Sequence, residues 1–307
     1  GGGIFERSAK SIAITPEMRK VFNIDASIKQ LSPNELIKTM LQTEVELLWF
    51  GGIGTYIKAS HESHAETGDR ANDAIRVNGI DLKCKVIGEG ANLGCTQQGR
   101  IEYALHNGRN NTDAIDNSAG VDCSDHEVNI KILLNQVVAN GDMTMKQRNK
   151  LLEQMTDEVA KLVLRDNYLQ SQAITLIHSQ GTDLLDIQSR LMKYLEKTGR
   201  LNREVEVLPN DEVLAERQTM KKGLTRPEIS VLMPYAKIWL YDKLLESELP
   251  DDHRLEEDLL RYFPTDLQNS FKDQIAKHML RREIIATHIT NSLINRVGGS
   301  FVLQIME

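Results

Sequence analysis

Two hydrophobic patterns succeed one another along the chain. Up to about residue 122, short apolar runs of strand length alternate with segments of helical spacing and with turns rich in Gly and Asn, the rhythm of an α/β unit. From about residue 124 the strand signal fades, and Leu, Ile, Val and Met recur at helical spacing.

In the first part, "TPEMRKVF" predicts a helix with Thr15 as N-cap and Pro16 at its first position. "SPNELIKTMLQ" predicts a second, in which Ser32 and Glu35 form a capping box. "VELLWF" reads as a buried strand, "DRANDAIRVNG" as a short helix closed by Asn78 and Gly79, and "LKCKVIGEG" as the next strand. "GRIEYALHNG" predicts a further helix and "TDAIDNS" a third short strand. Strands joined by helices are usually parallel, with right-handed crossovers. In the second part, "SDHEVNIKILLNQVVANG" carries a capping box from Ser124 to Glu127 and stops at Gly141. "TRPEISVLMPYAKIWLYDKLL" has another from Thr225 to Glu228, with Pro234 expected to kink the helix. A last helix is expected from Thr265, with Gln268 completing its cap, to about Val297, before Gly298 and Gly299. There is no repeat at a fixed period and no low-complexity tract.

Composition narrows the classes. The 307 residues suffice for about two domains and at least one substantial core. With 37 basic and 44 acidic residues interspersed, and a net charge of -7, no clustered positive surface points to nucleic acid. The longest apolar candidate, "VLMPYAKIWLY", contains Lys237 and falls short of the ~20 residues that span a bilayer, so a soluble protein with no membrane partner is expected. Cys84, Cys95 and Cys123 are odd in number and lack CxxC spacing, which fits reduced thiols and a cytoplasmic location. The opening "GGGIFER" has no methionine, basic n-region or apolar h-region, and reads as the start of a fragment rather than a leader.

Three turns can carry chemistry. Gly51, Gly52 and Gly54 follow an apolar strand, but "GGIGTY" lacks the Lys of a phosphate loop and the third glycine of the dinucleotide fingerprint. Either the glycines simply make a tight turn, or they line a cofactor cleft beyond the carboxyl ends of parallel strands. "KVIGEGANLGCTQQG" places Glu89, Gly90 and Asn92 after the next strand; an Asn amide both donates and accepts, as a carboxamide or ribose neighbour must, though a purely structural turn explains the same residues. In "DAIDNSAGVDCSDHEV", the free amides of a helix beginning at Ser124 would suit a carboxylate, while Ser124, Asp125 and Glu127 could equally satisfy that helix end unaided. His61, His64 and His126 come from separate segments without tight spacing, so no metal site is expected.

These stretches, "GGIGTYIKAS", "GDRAND", "KVIGEGANLGCTQQGRIEYAL", "NTDAIDNSAGVDCSDHEVNIKILLN" and "GLTRPEISVL", together resemble the large NAD-specific glutamate dehydrogenases, whose subunits are several times longer. The opening "GGGIFERSAKSI" resembles that family too. The resemblance implies an α/β fold: the later part of a Rossmann-like, NAD-binding parallel sheet over residues 1–140, then an all-helical C-terminal domain over 141–307. In smaller relatives of the superfamily an "EGAN" turn lies by the nicotinamide ribose, and an "NAGGV" segment is followed three residues on by a substrate-contacting serine. Carried over, Glu89, Gly90, Asn92 and Asn117 would face NAD together with Gly51, Gly52 and Gly54, and Ser124 would take the side-chain carboxylate of L-glutamate. The implied reaction is oxidative deamination of L-glutamate to 2-oxoglutarate and ammonia. The family's catalytic lysine and aspartate match no position here and are expected upstream. The chain by itself could therefore be a catalytically incomplete structural or regulatory piece whose helices mediate homo-oligomer formation.

Overall fold

The computed structural model describes residues 3–306; Gly1 and Gly2, which open the family-like "GGGIFERSAKSI", and Glu307 lie outside the described residues. Contacts divide the chain into two units. The first holds the residues up to Asn117 together with Glu204–Leu208 and Thr225–Ser230, and the second holds Ser118–Arg203, Pro209–Leu224 and the chain from Val231 on.

The first unit opens with β1 (Ile12–Ala13), α1 (Pro16–Phe22), β2 (Gln30–Leu31) and α2 (Pro33–Leu41), β1 and β2 being antiparallel. Both helix starts follow the sequence: Thr15 accepts the Met18 N–H, and Ser32 and Glu35 form the reciprocal capping box. Four strands follow. β3 (Leu47–Phe50) runs parallel to β6 (Val86–Glu89) with Trp49 opposite Gly88 and Phe50 opposite Glu89, and β4 (Ile57–Lys58) runs parallel to β5 (Val77–Asn78). Single parallel bridges join Ile57 to Cys95 and Val86 to Arg109. Phe50, Ile57, Val77, Ile87, Cys95 and Tyr103 form the core beneath these strands. The strand expected to be buried, β3, buries only one face, since Leu47 and Trp49 are exposed while Phe50 is buried. This is an α/β unit with small parallel sheets.

Two expected elements also take another form. "TDAIDNS" is not a strand but a helical turn, α4 (Asp113–Asp116), after α3 (Gln97–Leu105). Only Ile115 needs burial, and Asp113 and Asp116 turn back to bond the residues of the preceding strand and turn. "DRANDAIRVNG" supplies only a short 3-10 turn, Arg70–Asn72. Asp69 takes the Thr55 N–H and the Asn72 amide, and buried Arg76 donates to the Thr55 carbonyl, so side chains fix this segment as a loop.

The second unit is helical: α5 (Ser118–Ala139), α6 (Met145–Gln154), α7 (Thr156–Gln180), α8 (Leu185–Lys197), α9 (Asp211–Thr219), most of α10 (Arg226–Glu246), α11 (Glu256–Tyr262), α12 (Thr265–Ser270), α13 (Lys272–Ala276), α14 (Arg281–Val297) and α15 (Ser300–Met306). The buried residues of α5 are His126, Asn129, Ile130, Leu133, Leu134 and Val137, one stripe at helical spacing that packs against α7. α10 runs through Pro234, and Thr225 before it donates its N–H and hydroxyl to Glu228 as its sequence predicts. The expected helix from Thr265 to Val297 is three helices. Thr265 donates its N–H and hydroxyl to Glu158 instead of pairing with Gln268, whose amide turns to the Phe263 carbonyl. Among the described residues no helix is long and apolar enough to cross a membrane.

Candidate functional site

Both glycine turns of the first unit leave the carboxyl ends of paired parallel strands, β3 and β6. They are tied together: the Ala91 N–H bonds the Phe50 carbonyl at 3.0 Å, and the Tyr56 N–H bonds the Gly94 carbonyl at 2.9 Å. In open parallel sheets, this is the edge where ligands bind.

A buried ion cluster holds the second turn in shape. Glu89 is fully buried; its carboxylate accepts Arg100 Nε at 2.7 Å and Nη2 at 2.8 Å, and the Cys95 N–H at 3.0 Å. Burial raises the Glu89 carboxyl above its ordinary range, opposed by the Arg100 guanidinium. Asp113 reaches Arg100 Nη2 at 3.2 Å and takes the Leu93 N–H at 2.8 Å. That last bond fixes Leu93 at φ 64°, a left-handed conformation a leucine seldom adopts, and its side chain stands exposed. Asp116 accepts the Glu89 N–H at 3.0 Å and the Asn111 amide at 2.8 Å, and burial raises its carboxyl. Arg226 donates to Asn111 at 2.8 Å; burial, then the nearby Arg109, bring its guanidinium down to about 10.

The polar groups left over face outward. Asn92 is exposed and Asn117 partly so, and Asn117 Nδ2 donates to Asn92 Oδ1 at 2.6 Å. Gly51 and Gly52 are exposed, and a Cβ on Gly52 would meet nothing within 4 Å. Among the described residues, nothing in the packing therefore asks for glycine at that position. Gly54 differs: at φ 140° a Cβ would strike Asn72 and Tyr56 at 2.8 Å, so its glycine is required by the turn. At Gly90 a Cβ would lie 2.3 Å from the ring of Trp49, an exposed side chain that would have to move to admit it.

The structure thus brings together Gly51, Gly52, Gly54, Glu89, Gly90, Asn92 and Asn117 in one unit. It divides their work, with Glu89 turned inward as a support and the Asn pair and Gly52 left accessible. Ser124 belongs to the second unit, and its sequence reading as an N-cap is overturned. α5 begins at Ser118, and Ser124 lies exposed inside it with Oγ donating to the Gly120 carbonyl at 3.2 Å. The "NSAG" stretch is compatible with helix, so the capping-box pattern at Ser124 and Glu127 falls within a turn already formed. Arg100, Asp113 and Asp116 do not stand out in the sequence, because Arg100 looks like a solvent-facing helix residue and "TDAIDNS" has the look of a strand. The spacing of Asp113 and Asp116 by one helical turn was the available signal.

Polar groups gathered at the carboxyl ends of parallel strands place the first unit in the class of α/β proteins with a candidate site at that sheet edge. Residues 1–177 match the family model for bacterial NAD-glutamate dehydrogenase, catalytic domain, and residues 221–307 that for glutamate dehydrogenase, C-terminal. The whole chain is 55% identical to an NAD-specific glutamate dehydrogenase of Pseudomonas aeruginosa and 52% identical to one of Halomonas elongata, covering 19% of each. It is 46% identical to one of Mycobacterium tuberculosis, again covering 19%. The chain belongs to the bacterial NAD-glutamate dehydrogenase family, and it spans about a fifth of the length of these relatives.

Proposed function

We propose that this chain forms one wall of the NAD site in an NAD-dependent glutamate dehydrogenase. Its β3 and β6 then belong to the later part of a Rossmann-like sheet that other segments of a longer protein complete. The observation that carries the reading is Gly52, an exposed glycine at the carboxyl end of β3 that local packing does not require, on a strand paired with the one that leads into the amide-bearing turn. A glycine in open space leaves the backbone free for close approach by a dinucleotide.

NAD supplies the hydride acceptor for oxidation of L-glutamate to 2-oxoglutarate and ammonia. The chain's own residues bind and orient. Asn92 and Asn117, already paired, present a remaining amide donor and carbonyl oxygens to the ribose or carboxamide. Glu89, Arg100, Asp113 and Asp116 keep that pair in place from below. Ser124 Oγ, exposed on α5, is the group for the substrate's side-chain carboxylate. The lysine and aspartate that handle protons come from a segment other than this one. A cytoplasmic homo-oligomer, assembled through the helical unit, is the setting this reading implies.

The test is Gly52→Val in a full-length protein carrying this sequence. The side chain enters open space, so the melting temperature should stay put while KM for NAD rises at least about tenfold. An unchanged KM for NAD, with the variant folded, removes this loop from the cofactor site.

A further inference from the structure

The second unit contains a polar cluster that the proposed reaction does not use. On α5, Asp122 and His126 stand one turn apart on the same face, with His126 Nε2 3.9 Å from Asp122 Oδ1. On α7, Asp166 completes the group: one ring nitrogen and one oxygen from each carboxylate all lie within 4.8 Å of one another. We propose that Asp122, His126 and Asp166 form a binding site for a first-row divalent transition-metal cation.

The first support is that His126 is buried without a hydrogen bond. Its residue exposure is 2%, its Nδ1 is enclosed without a partner, and its Nε2 faces the Asp122 carboxylate beyond hydrogen-bond range. The ring is held in place by stacking on Tyr262, centroids 4.4 Å apart, and not by its nitrogens. Buried polar side chains are nearly always paired, and this imidazole is paired through neither nitrogen while its Nε2 looks onto the Asp122 carboxylate, an arrangement that a cation beside Nε2 would satisfy. The neighbouring histidine of the same unit shows the usual arrangement. His278 Nδ1 accepts the Leu280 N–H and its Nε2 reaches the Asn129 carbonyl, so both nitrogens are used.

The second support is charge. Asp122 is only partly exposed, and it stands with Asp166 beside the buried ring, so two carboxylates lie within 4.8 Å of one imidazole nitrogen. The nearby cation does not fill the gap, because the Lys237 ammonium donates to Gln170 Oε1 at 2.9 Å.

Geometry and ligand type agree. Ligands about 2.0–2.2 Å from a shared ion lie at most about 4.4 Å apart, so the His126–Asp122 pair already fits. Asp166 is exposed, and its carboxylate oxygen already lies within 4.8 Å of the other two ligand atoms. One imidazole and two carboxylates suit Zn²⁺, Mn²⁺ or Co²⁺, with water completing the shell.

The experiment adds Co²⁺ and, separately, Zn²⁺ to the metal-stripped chain. It follows the visible Co²⁺ absorption and the melting temperature in the wild type and in Asp166→Asn, Asp122→Asn and His126→Gln. Saturable binding of one ion, a raised melting temperature with Zn²⁺, and affinity lowered at least about tenfold in each variant are expected. Asp166→Asn changes an exposed residue and should fold, and because Asp166 also faces Lys237, each variant's zinc-induced rise is measured from its own metal-free melting temperature. No saturable binding, equal affinity in the Asp166→Asn chain, or the intense near-ultraviolet absorption of a Co²⁺–thiolate bond at Cys123 would each overturn the site.

Discussion

Asn117 Nδ2 donates to Asn92 Oδ1 at 2.6 Å, joining the end of α4 to the turn after β6. Each amide therefore fixes the other's orientation, leaving a defined set of free donors and acceptors at the sheet edge. If that set recognises NAD, Asn92→Ala and Asn117→Ala will each raise KM for NAD several-fold in the full-length enzyme. The double variant will cost less than the two effects multiplied, because each single change already frees its partner. Multiplicative effects would show that the two amides act independently.

Beneath the pair, Arg100 neutralises a carboxylate with no exposed surface. Arg100→Met should destabilise the protein by about 3–5 kcal/mol, the usual consequence of leaving one member of a buried ion pair behind. Glu89→Gln placed on top of Arg100→Met should recover much of the loss, since it removes the stranded charge. Denaturant titration of the three variants decides the matter; a loss under about 1 kcal/mol for Arg100→Met would mean that water reaches Glu89.

The parts of this fold that were legible in sequence are those set by local chemistry. Thr15 with Pro16, and Ser32 with Glu35, carry their helix starts in their own side chains. β3 and β6 were visible as apolar runs ending in glycine. What stayed hidden depends on partners far along the chain. Asp116 works through the Glu89 N–H, 27 residues away, and Thr265 through Glu158, 107 residues away, so neither the form of "TDAIDNS" nor the bonding of Thr265 at the start of α12 could be read locally. The candidate site divides in the same way. Gly52 and Asn92 were named from their turns, whereas the inward role of Glu89 needed the position of Arg100.

Ser124 separates two roles by their stability signatures. An N-cap serine replaced by alanine costs about 1 kcal/mol, whereas an exposed serine inside a helix does not, alanine being the better helix former. With α5 beginning at Ser118, Ser124→Ala should leave stability unchanged or slightly raised, and in the full-length enzyme it should raise KM for glutamate with KM for NAD unaltered. A drop in stability of about 1 kcal/mol would restore the capping role, and an unchanged KM for glutamate would remove Ser124 from the substrate site.

Lys237 gives the helical unit a pH signature. Its ammonium donates to Gln170, yet burial, only partly offset by Asp166, brings its pKa from 10.5 down to about 8. Below about 8 both folded and unfolded chains hold the proton, and the folded state bears the full cost of a desolvated charge. Between about 8 and 10.5 the unfolded chain keeps the proton while the folded chain releases it, so this residue's contribution makes stability rise with pH across that window and level off above it. Lys237→Met removes both the cost and the slope. The variant should therefore be more stable than the wild type at pH 7, and the gap should close as pH passes through the window. Unfolding curves measured in parallel from pH 7 to about 10.5 would refute this if the difference between the two proteins stayed constant.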